Sequence, residues 1–179
     1  MCHLGKQNVQ KIFPNSTGDI DCEPCKLSNS KRQTGLYGDL IVCDYEGPFS
    51  IADINGNKGY FSLVDKATGY GETHLVKLKS EFPVLFKDFA NRCKIAGTPI
   101  KIFRTDGAKE FQSNVMKEFY SQMGIIHQVT LPKVPESNMT AESYNHVLMS
   151  KCRPTMCAMN IPARFWGPCI KYCSDMRVL

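Results

Sequence analysis

The chain has 179 residues, of which 42% are hydrophobic. That length allows one well-buried domain and a small appendage but not two full domains. Its 22 Lys and Arg against 17 Asp and Glu give a net charge of +5, which favours polyanionic partners without identifying one. The N-terminus has no apolar stretch of signal-peptide length, and no run of about 18 apolar residues occurs in the chain. These patterns exclude a helical membrane protein, and we expect a soluble protein of the nucleus or cytoplasm.

The nine cysteines are an unsuitable number for a secreted disulfide framework. Most of them stand in apolar strings, where a reduced and buried thiol is ordinary. We therefore predict free thiols. The cysteines in such strings are Cys43, Cys93, Cys169 and Cys173.

Residues 1–38 are polar and interrupted by proline and glycine, which predicts a loose appendage with at most one short helix near residues 7–13. The apolar run Leu40 to Cys43 follows and predicts a buried strand that ends at Asp44, before a Gly-Pro turn. Two further strands are predicted at residues 60–65 and 70–78, joined by a short loop that contains glycine.

Helical spacing of apolar residues follows from Phe82 to Cys93, and a fourth strand is predicted at residues 100–104. Asp106 lies two residues beyond that strand. A second helix ends at Gly124, and a fifth strand is predicted at residues 125–129. This order predicts an α/β fold with a mixed five-stranded sheet flanked by helices.

After a proline-bracketed loop at residues 131–135, a helix is predicted from Ser137 or Asn138. Helical spacing predicts that its core face consists of Ala141, Tyr144, Leu148 and Cys152. The same spacing places Glu142 on a polar face, beside Asn145 and His146.

Three acids stand where the predicted elements end or begin: Asp44, Asp106 and Glu142. Each alone has an ordinary structural explanation, as a turn residue or as an acid in the first turn of a helix. Together, acids that converge from separate elements are typical of a site for hard divalent cations such as Mg²⁺. A pair of such ions suits phosphoryl transfer on nucleic acids.

The sequence motifs around these acids are more specific for a protein family than the acids alone. The strings IFRTDGAKEF (residues 102–111), HQVTLP (127–132) and NMTAESYN (138–145) occur in this order, with 35 residues between Asp106 and Glu142. Asp44 precedes Gly-Pro, and residues 160–166 read NIPARFW. This arrangement resembles the catalytic core of copia-type LTR-retrotransposon integrases, Asp-Asp-Glu enzymes that are part of a Pol polyprotein. The resemblance extends from about residue 7 to residue 166.

The resemblance implies an RNase H-like fold in which Asp44, Asp106 and Glu142 hold two Mg²⁺ or Mn²⁺ ions. It implies an integrase that joins the 3′ ends of element DNA to target DNA and works as a homo-multimer. By the same resemblance, Gln128 and Asn138 border a loop that touches DNA. A wider set of DNA-binding candidates flanks the proposed site: Gln128, Lys133, Asn138, Asn145 and Lys151.

The resemblance also implies a zinc site, because Cys22 and Cys25 have the two-residue gap of half a zinc ligand set. Lys6 occupies the place of one family histidine and the other would fall at Met1. Cys2 or His3 could substitute as a ligand, but a filled Zn²⁺ site is not expected, because structural zinc needs four ligands. We therefore predict that residues 1–33 are a degenerate zinc-binding appendage and residues 34–179 a catalytic core. The core ends in a predicted helix without a basic tail, which indicates part of a longer polyprotein.

The chain departs from the family inside the core as well. Met139 replaces a glycine, Gly107 an asparagine, and Ser143 and His146 replace basic residues, which weakens the predicted hold on phosphates. Pro154 falls inside the predicted third helix, so we predict that this helix stops or kinks near Lys151.

Two alternatives to an active integrase remain open. The broken zinc set and Pro154 favour a catalytically inactive nucleic-acid-binding or interaction protein. The shared sheet order allows a nuclease that cleaves RNA–DNA hybrids, for which Glu81 and Asp88 are the candidates for a fourth acid. His127 is a formal candidate for a general base, but a strand histidine is more often packed and hydrogen-bonded.

Overall fold

A computed structural model describes residues 35–130 and 139–176 of the chain. Most of the predicted appendage, with its short helix and its cysteine pair Cys22 and Cys25, lies outside the described residues. So does the loop that contains Lys133 and Asn138. The predictions made for these residues stay predictions.

Five strands form one mixed sheet in the order β3-β2-β1-β4-β5. The first three strands are antiparallel neighbours along the chain, while β4 pairs parallel to β1 and β5 pairs parallel to β4. The strands are β1 (Leu40–Glu46), β2 (Gly59–Asp65), β3 (Gly71–Val76), β4 (Ile102–Thr105) and β5 (Ile126–Val129). This mixed sheet is consistent with the RNase H-like fold, so the predicted fold class is confirmed.

Four α-helices flank the sheet in the described part of the chain. They are α1 (Phe82–Ile95), α2 (Asn114–Met123), α3 (Met139–Ala158) and α4 (Trp166–Asp175). The helix α2 begins where the Ser113 hydroxyl accepts a hydrogen bond from the backbone N–H of Met116. It ends at Gly124, which takes the left-handed conformation with φ of 68°.

One face of the sheet packs against α1 and α2 through an aromatic core. Phe61 projects from β2 and Phe103 from β4, and both are fully buried. The rings of Phe86 and Phe103 have their centroids 4.1 Å apart, a separation at which aromatic pairs contribute beyond their buried area. The buried aromatic residues of this face include Phe61, Phe82, Phe86 and Phe89.

The other face of the sheet packs against α3 and α4. Val42 of β1 and Tyr60 of β2 are buried there with the apolar stripe of α3. The stripe consists of Ala141, Tyr144, Leu148 and Cys152, as the helical spacing predicts. The cysteines predicted as free and buried have that state: Cys43, Cys93, Cys169 and Cys173.

A close approach between Gly71 and Tyr144 holds α3 against β3. The Tyr144 hydroxyl donates to the carbonyl of Gly71 at 2.9 Å, and a Cβ at position 71 would overlap the Tyr144 ring. Only glycine leaves room for the ring at this point of the strand. The contact therefore sets the height at which α3 crosses the sheet.

Pro154 does not end α3, so the predicted stop near Lys151 is wrong, while the alternative of a kink there stays a prediction. The helix continues to Ala158 with Pro154 inside it. Tertiary packing explains this, because Cys152 on one side and Met156 on the other pack into the buried cluster shared with α4. Burial of these side chains offsets the backbone hydrogen bond that proline cannot donate.

In the part of the chain that the structure describes, no helix is long and apolar enough to cross a bilayer.

Replacing Pro154 by alanine should stabilise the fold. Position 154 is exposed, and alanine restores an N–H that can donate to the Ser150 carbonyl one turn earlier. We expect the free energy of unfolding in urea to rise by up to about 3 kcal/mol. Arg153→Ala, at the neighbouring exposed position, should change it by less than about 0.5 kcal/mol. A destabilised Pro154→Ala protein would show that the proline suits the local backbone.

Candidate active site

Asp44 and Asp106 belong to neighbouring parallel segments of the sheet. Val42 of β1 lies opposite Arg104 of β4, so continuing the register by two residues places Asp106 opposite Asp44. Opposed residues of a parallel pair point to the same face, and neighbouring strands lie about 4.8 Å apart. Asp44 therefore belongs to the face of the sheet that carries Val42 and packs against α3, and Asp106 is close enough for its charge to act on Asp44.

Asp44 was predicted at the end of β1, but it lies within the strand, which continues to Glu46. Its side chain is half-buried, and Oδ2 accepts a hydrogen bond from Nδ2 of Asn145 at 3.0 Å. Burial is the main cause that raises the pKa of Asp44 from 3.8 to about 6. The backbone N–H of Tyr45 opposes this shift, while the charge of Asp106 adds to it.

Asp106 directly follows β4 and is exposed. Its Oδ1 accepts a hydrogen bond from the backbone N–H of Ala108 at 3.1 Å, an interaction by which aspartate commonly stabilises a turn. The same turn is held by Gln112, whose Nε2 donates to the carbonyl of Gly107 at 2.9 Å. Asp106 therefore stabilises the turn with its Oδ1, and its carboxylate is accessible from solvent.

Within the described residues, neither Asp44 nor Asp106 belongs to an ion pair. Two neighbouring carboxylates without a cationic partner repel each other, which is one cause of the raised pKa of Asp44. Carboxylate oxygens are the ligands that Mg²⁺ and Mn²⁺ prefer. The chemistry of this pair therefore fits a divalent cation.

Glu142 lies in the first turn of α3 and is exposed. It precedes Asn145 by three residues, so the two side chains are neighbours on the helix surface. Among residues 35–130 and 139–176, no three His, Cys, Asp or Glu side chains are close enough together to hold a metal ion. The structure thus brings Asp44 and Asp106 together and does not add Glu142 to them, so the three-acid site stays a prediction.

Asn145 is not on an exposed polar face, contrary to the prediction. Only 4% of its surface is exposed, because its amide turns toward β1 and donates to Asp44. Its Oδ1 is buried and has no hydrogen-bond partner among the described residues. The same is true of the hydroxyl of Tyr60, which lies opposite Glu46 in the β1–β2 pairing.

These two side chains were not predicted to support Asp44. Burial is the main cause of the raised pKa of Tyr60, with contributions from Glu46 and Asp44. The available sequence signal for Asn145 was its position three residues after Glu142, on the same side of the helix. Tyr60 carried no such signal, because an aromatic residue on a buried strand reads as core.

Of the predicted DNA-binding residues, Lys151 is exposed on α3 and Gln128 is half-buried on β5. His127 packs on the rings of Phe103 and Tyr120 and shares a 2.9 Å hydrogen bond with the Thr105 hydroxyl. Burial lowers the pKa of His127, which favours the structural interpretation of this residue.

The candidates for a fourth nuclease acid are engaged in other contacts. Glu81 accepts hydrogen bonds from the backbone N–H groups of Lys77 and Leu78 at 3.0 and 2.8 Å. Asp88 accepts from the guanidinium of Arg92 at 3.0 Å. Neither contact involves Asp44 or Asp106, and this disfavours the hybrid-cleaving nuclease.

Comparison with known proteins connects the chain to transposons. Over 145 residues the chain is 30% identical to the "Retrovirus-related Pol polyprotein from transposon TNT 1-94" of Nicotiana tabacum. The match covers 80% of this chain and 11% of that polyprotein, so the chain spans about a tenth of the relative's length. No protein-family model matches the chain. The chain is therefore homologous to a segment of a transposon Pol polyprotein.

Asp44→Asn should make the metal-free protein more stable at neutral pH. A folded-state pKa of about 6 against 3.8 means that the native state binds more protons between these values. Stability therefore falls as pH rises through this window and stays reduced above it. Removing the charge should raise the free energy of unfolding at pH 7 by about 1–3 kcal/mol, discounted for partial exposure.

The measurement is urea unfolding in EDTA between pH 3.5 and 7.5, beside the exposed control Asp175→Asn. The advantage of Asp44→Asn should shrink as the pH falls from about 6 to about 4, and little of it should remain at pH 3.5. An advantage of equal size at all these pH values would contradict the assigned cause.

Proposed function

We propose that this chain is the catalytic core of a retroelement integrase, a polynucleotidyl transferase that joins the 3′ ends of element DNA to target DNA. The proximity of Asp44 in β1 to Asp106, which directly follows the parallel strand β4, carries the proposal, because within the described residues neither acid belongs to an ion pair. Homology to a transposon Pol polyprotein supports it. So does the mixed sheet with α3 packed on the face of the two acids.

Asp44, Asp106 and Glu142 would hold two Mg²⁺ or Mn²⁺ ions in this proposal. When bound, such ions neutralise the negative charge that develops on the attacking and leaving oxygens of a phosphodiester exchange. The residues of the chain position the ligands for these ions. Asp44 is held by Asn145 and is largely ionised above its pKa of about 6. Asp106 is open to solvent at the rim.

Glu142 must approach the two aspartates for the site to be complete. Glu142 lies one turn before Asn145, and Asn145 bonds to Asp44, so Glu142 is on the side of α3 that is nearest to Asp44. Binding of cations between the acids would remove the repulsion that now opposes a third carboxylate there. The proposal therefore requires metal binding and the approach of Glu142 to be coupled.

The partners in this proposal are element and target DNA, held by a homo-multimer of the chain. Lys151 supplies an exposed positive charge on α3, and Lys133 and Asn138 are assigned to the DNA side on sequence alone. Gln128, which is half-buried on β5, is assigned to the DNA side as well. Asn145 is better placed to hold Asp44 than to reach DNA, because it is buried and its amide is already used.

A catalytically inactive, integrase-derived nucleic-acid-binding protein is the second candidate. One observation favours it: the described residues include no three metal-binding side chains close enough to share an ion. In that case Asp44 and Asp106 would be a relic of a site, and Glu142 would remain a solvent-exposed helix acid. Metal affinity and strand transfer separate the two candidates.

Asp106→Asn should abolish strand transfer while leaving the fold intact, because position 106 is exposed and outside the core. Loss of one metal ligand should lower the rate at least about 100-fold, since loss of an outer-shell partner alone costs 10–100-fold. The assay follows a labelled duplex joined to plasmid DNA with Mn²⁺. It also includes a branched DNA that mimics the joined product, whose resolution tests the reverse reaction.

Metal titration of the same variants provides the control. We expect Mn²⁺ binding to weaken in Asp106→Asn and in Glu142→Gln but not in Asp175→Asn. Equal strand transfer by the wild type and Asp106→Asn, or metal binding indifferent to both acids, would reject the integrase and favour the inactive protein.

Asn145→Ala should weaken Mn²⁺ binding by about 10–100-fold, as expected for a residue that orients a metal ligand. Removing Nδ2 leaves the Asp44 carboxylate without its side-chain donor. DNA binding measured in EDTA should be nearly unchanged, because the side chain is buried. The reverse result, weaker DNA binding with normal Mn²⁺ affinity, would restore Asn145 to the DNA-contacting residues.

A further inference from the structure

Arg104 carries a positive charge that no carboxylate of the described residues neutralises. Its Nε and Nη2 both donate to Oε1 of Gln128, at 3.2 and 2.8 Å. The acceptor is a neutral amide, and the ion pairs of residues 35–130 and 139–176 do not include Arg104. Arg92, in contrast, is bound by Glu72 and Asp88. A half-buried guanidinium without a carboxylate partner is a site where binding of an anion is especially favourable.

The position of Arg104 relates it to the two aspartates. Arg104 lies in β4, and Asp106 directly follows that strand two residues later, a spacing of about 6.6 Å in an extended chain. Its partner on β1 is Val42, which likewise precedes Asp44 by two residues. Arg104 therefore lies one row behind the acids, within the reach of an extended arginine side chain.

The surface around Arg104 is open on the side of β5. Gln128 lies opposite Arg104 in the β4–β5 pairing. Ile126, two residues earlier on the same face of β5, has 61% of its surface exposed. A strand of nucleic acid that reaches the acids from the β5 edge would therefore pass over this face.

We propose that Arg104 binds a backbone phosphate of the DNA strand, next to the phosphodiester that reacts at Asp44 and Asp106. Gln128 is a positioning residue that holds the guanidinium through Nε and Nη2. The remaining N–H groups of the guanidinium are free for two phosphate oxygens, in the paired geometry that arginine favours. This inference rests on the proposed function for the identity of the ligand, and it assigns the phosphate contact to a residue of β4.

The test is DNA binding without catalysis. A fluorescent duplex is titrated with the full chain in EDTA at salt concentrations from 50 to 200 mM, and binding is followed by anisotropy. Arg104→Gln is compared with Lys117→Gln, which removes the same charge from an exposed position of α2 on the opposite side of the sheet.

Arg104→Gln should weaken binding about 10-fold at the lowest salt and reduce the slope of log K against log salt by about 1. Lys117→Gln should change both quantities much less. Gln128→Ala should weaken binding while leaving the charge in place, and the double variant should bind no more weakly than Arg104→Gln alone. This non-additivity is a result that a purely structural role for Gln128 would not produce.

Arg104→Lys covers the case in which Arg104→Gln does not fold. It keeps the charge, so the salt slope should be retained while affinity falls, because lysine lacks the planar fork. Equal affinity and slope for Arg104→Gln and Lys117→Gln, or for Arg104→Lys and the wild type, would overturn the assignment. Absence of DNA binding by the wild type would overturn it as well. A protein that binds DNA through Arg104 but transfers no strand would leave it standing and reject only the integrase.

Discussion

The candidate site depends on the parallel pairing of β1 with β4. This pairing brings Asp44 in β1 close to Asp106, which lies 62 residues later and directly follows β4. Like charges so placed repel each other, and burial of Asp44 increases the free energy of its charged form. The core supports this arrangement, because Ile41 and Cys43 on the opposite face of β1 are fully buried. The strand β1 cannot move to separate the two charges without exposing Ile41 and Cys43 to solvent.

Helix α3 is the second part of this arrangement. Tyr144 bonds to the Gly71 carbonyl on β3 and shares a 2.8 Å hydrogen bond with Ser174 of α4, so the helix is fixed to the sheet at the next residue before Asn145. That anchoring brings the Asn145 amide to Asp44. The cost is visible in Asn145 Oδ1 and the Tyr60 hydroxyl, two buried groups without partners near the carboxylate. Such groups lower stability, and functional sites are where this cost is commonly retained.

The charges at the candidate site are arranged asymmetrically, with the two acids on one side and Arg104 on the other. Arg104 lies two residues before Asp106, and among the described residues neither Arg104 nor the acids Asp44 and Asp106 belong to an ion pair. Homology to a transposon Pol polyprotein fits chemistry on nucleic acids, for which cations at the acids and a phosphate at the arginine are complementary ligands.

The sequence by itself determined the elements and the class of fold. Alternation and helical spacing are properties of neighbouring residues, so all five strands and the buried stripe Ala141, Tyr144, Leu148 and Cys152 could be read locally. The acids were identified from local motifs and their spacing, and the coming together of Asp44 and Asp106 followed from the fold that those motifs predict.

Only the tertiary structure decided the register and the partners of individual side chains. The burial of Asn145, the support of Asp44 and the missing counter-ion of Arg104 depend on segments that meet from distant parts of the chain. Pro154 shows the same limit, because its local preference to end a helix was outweighed by packing against α4. Local patterns carry the propensity of a segment, whereas a contact between distant segments is decided by the free energy of the whole fold.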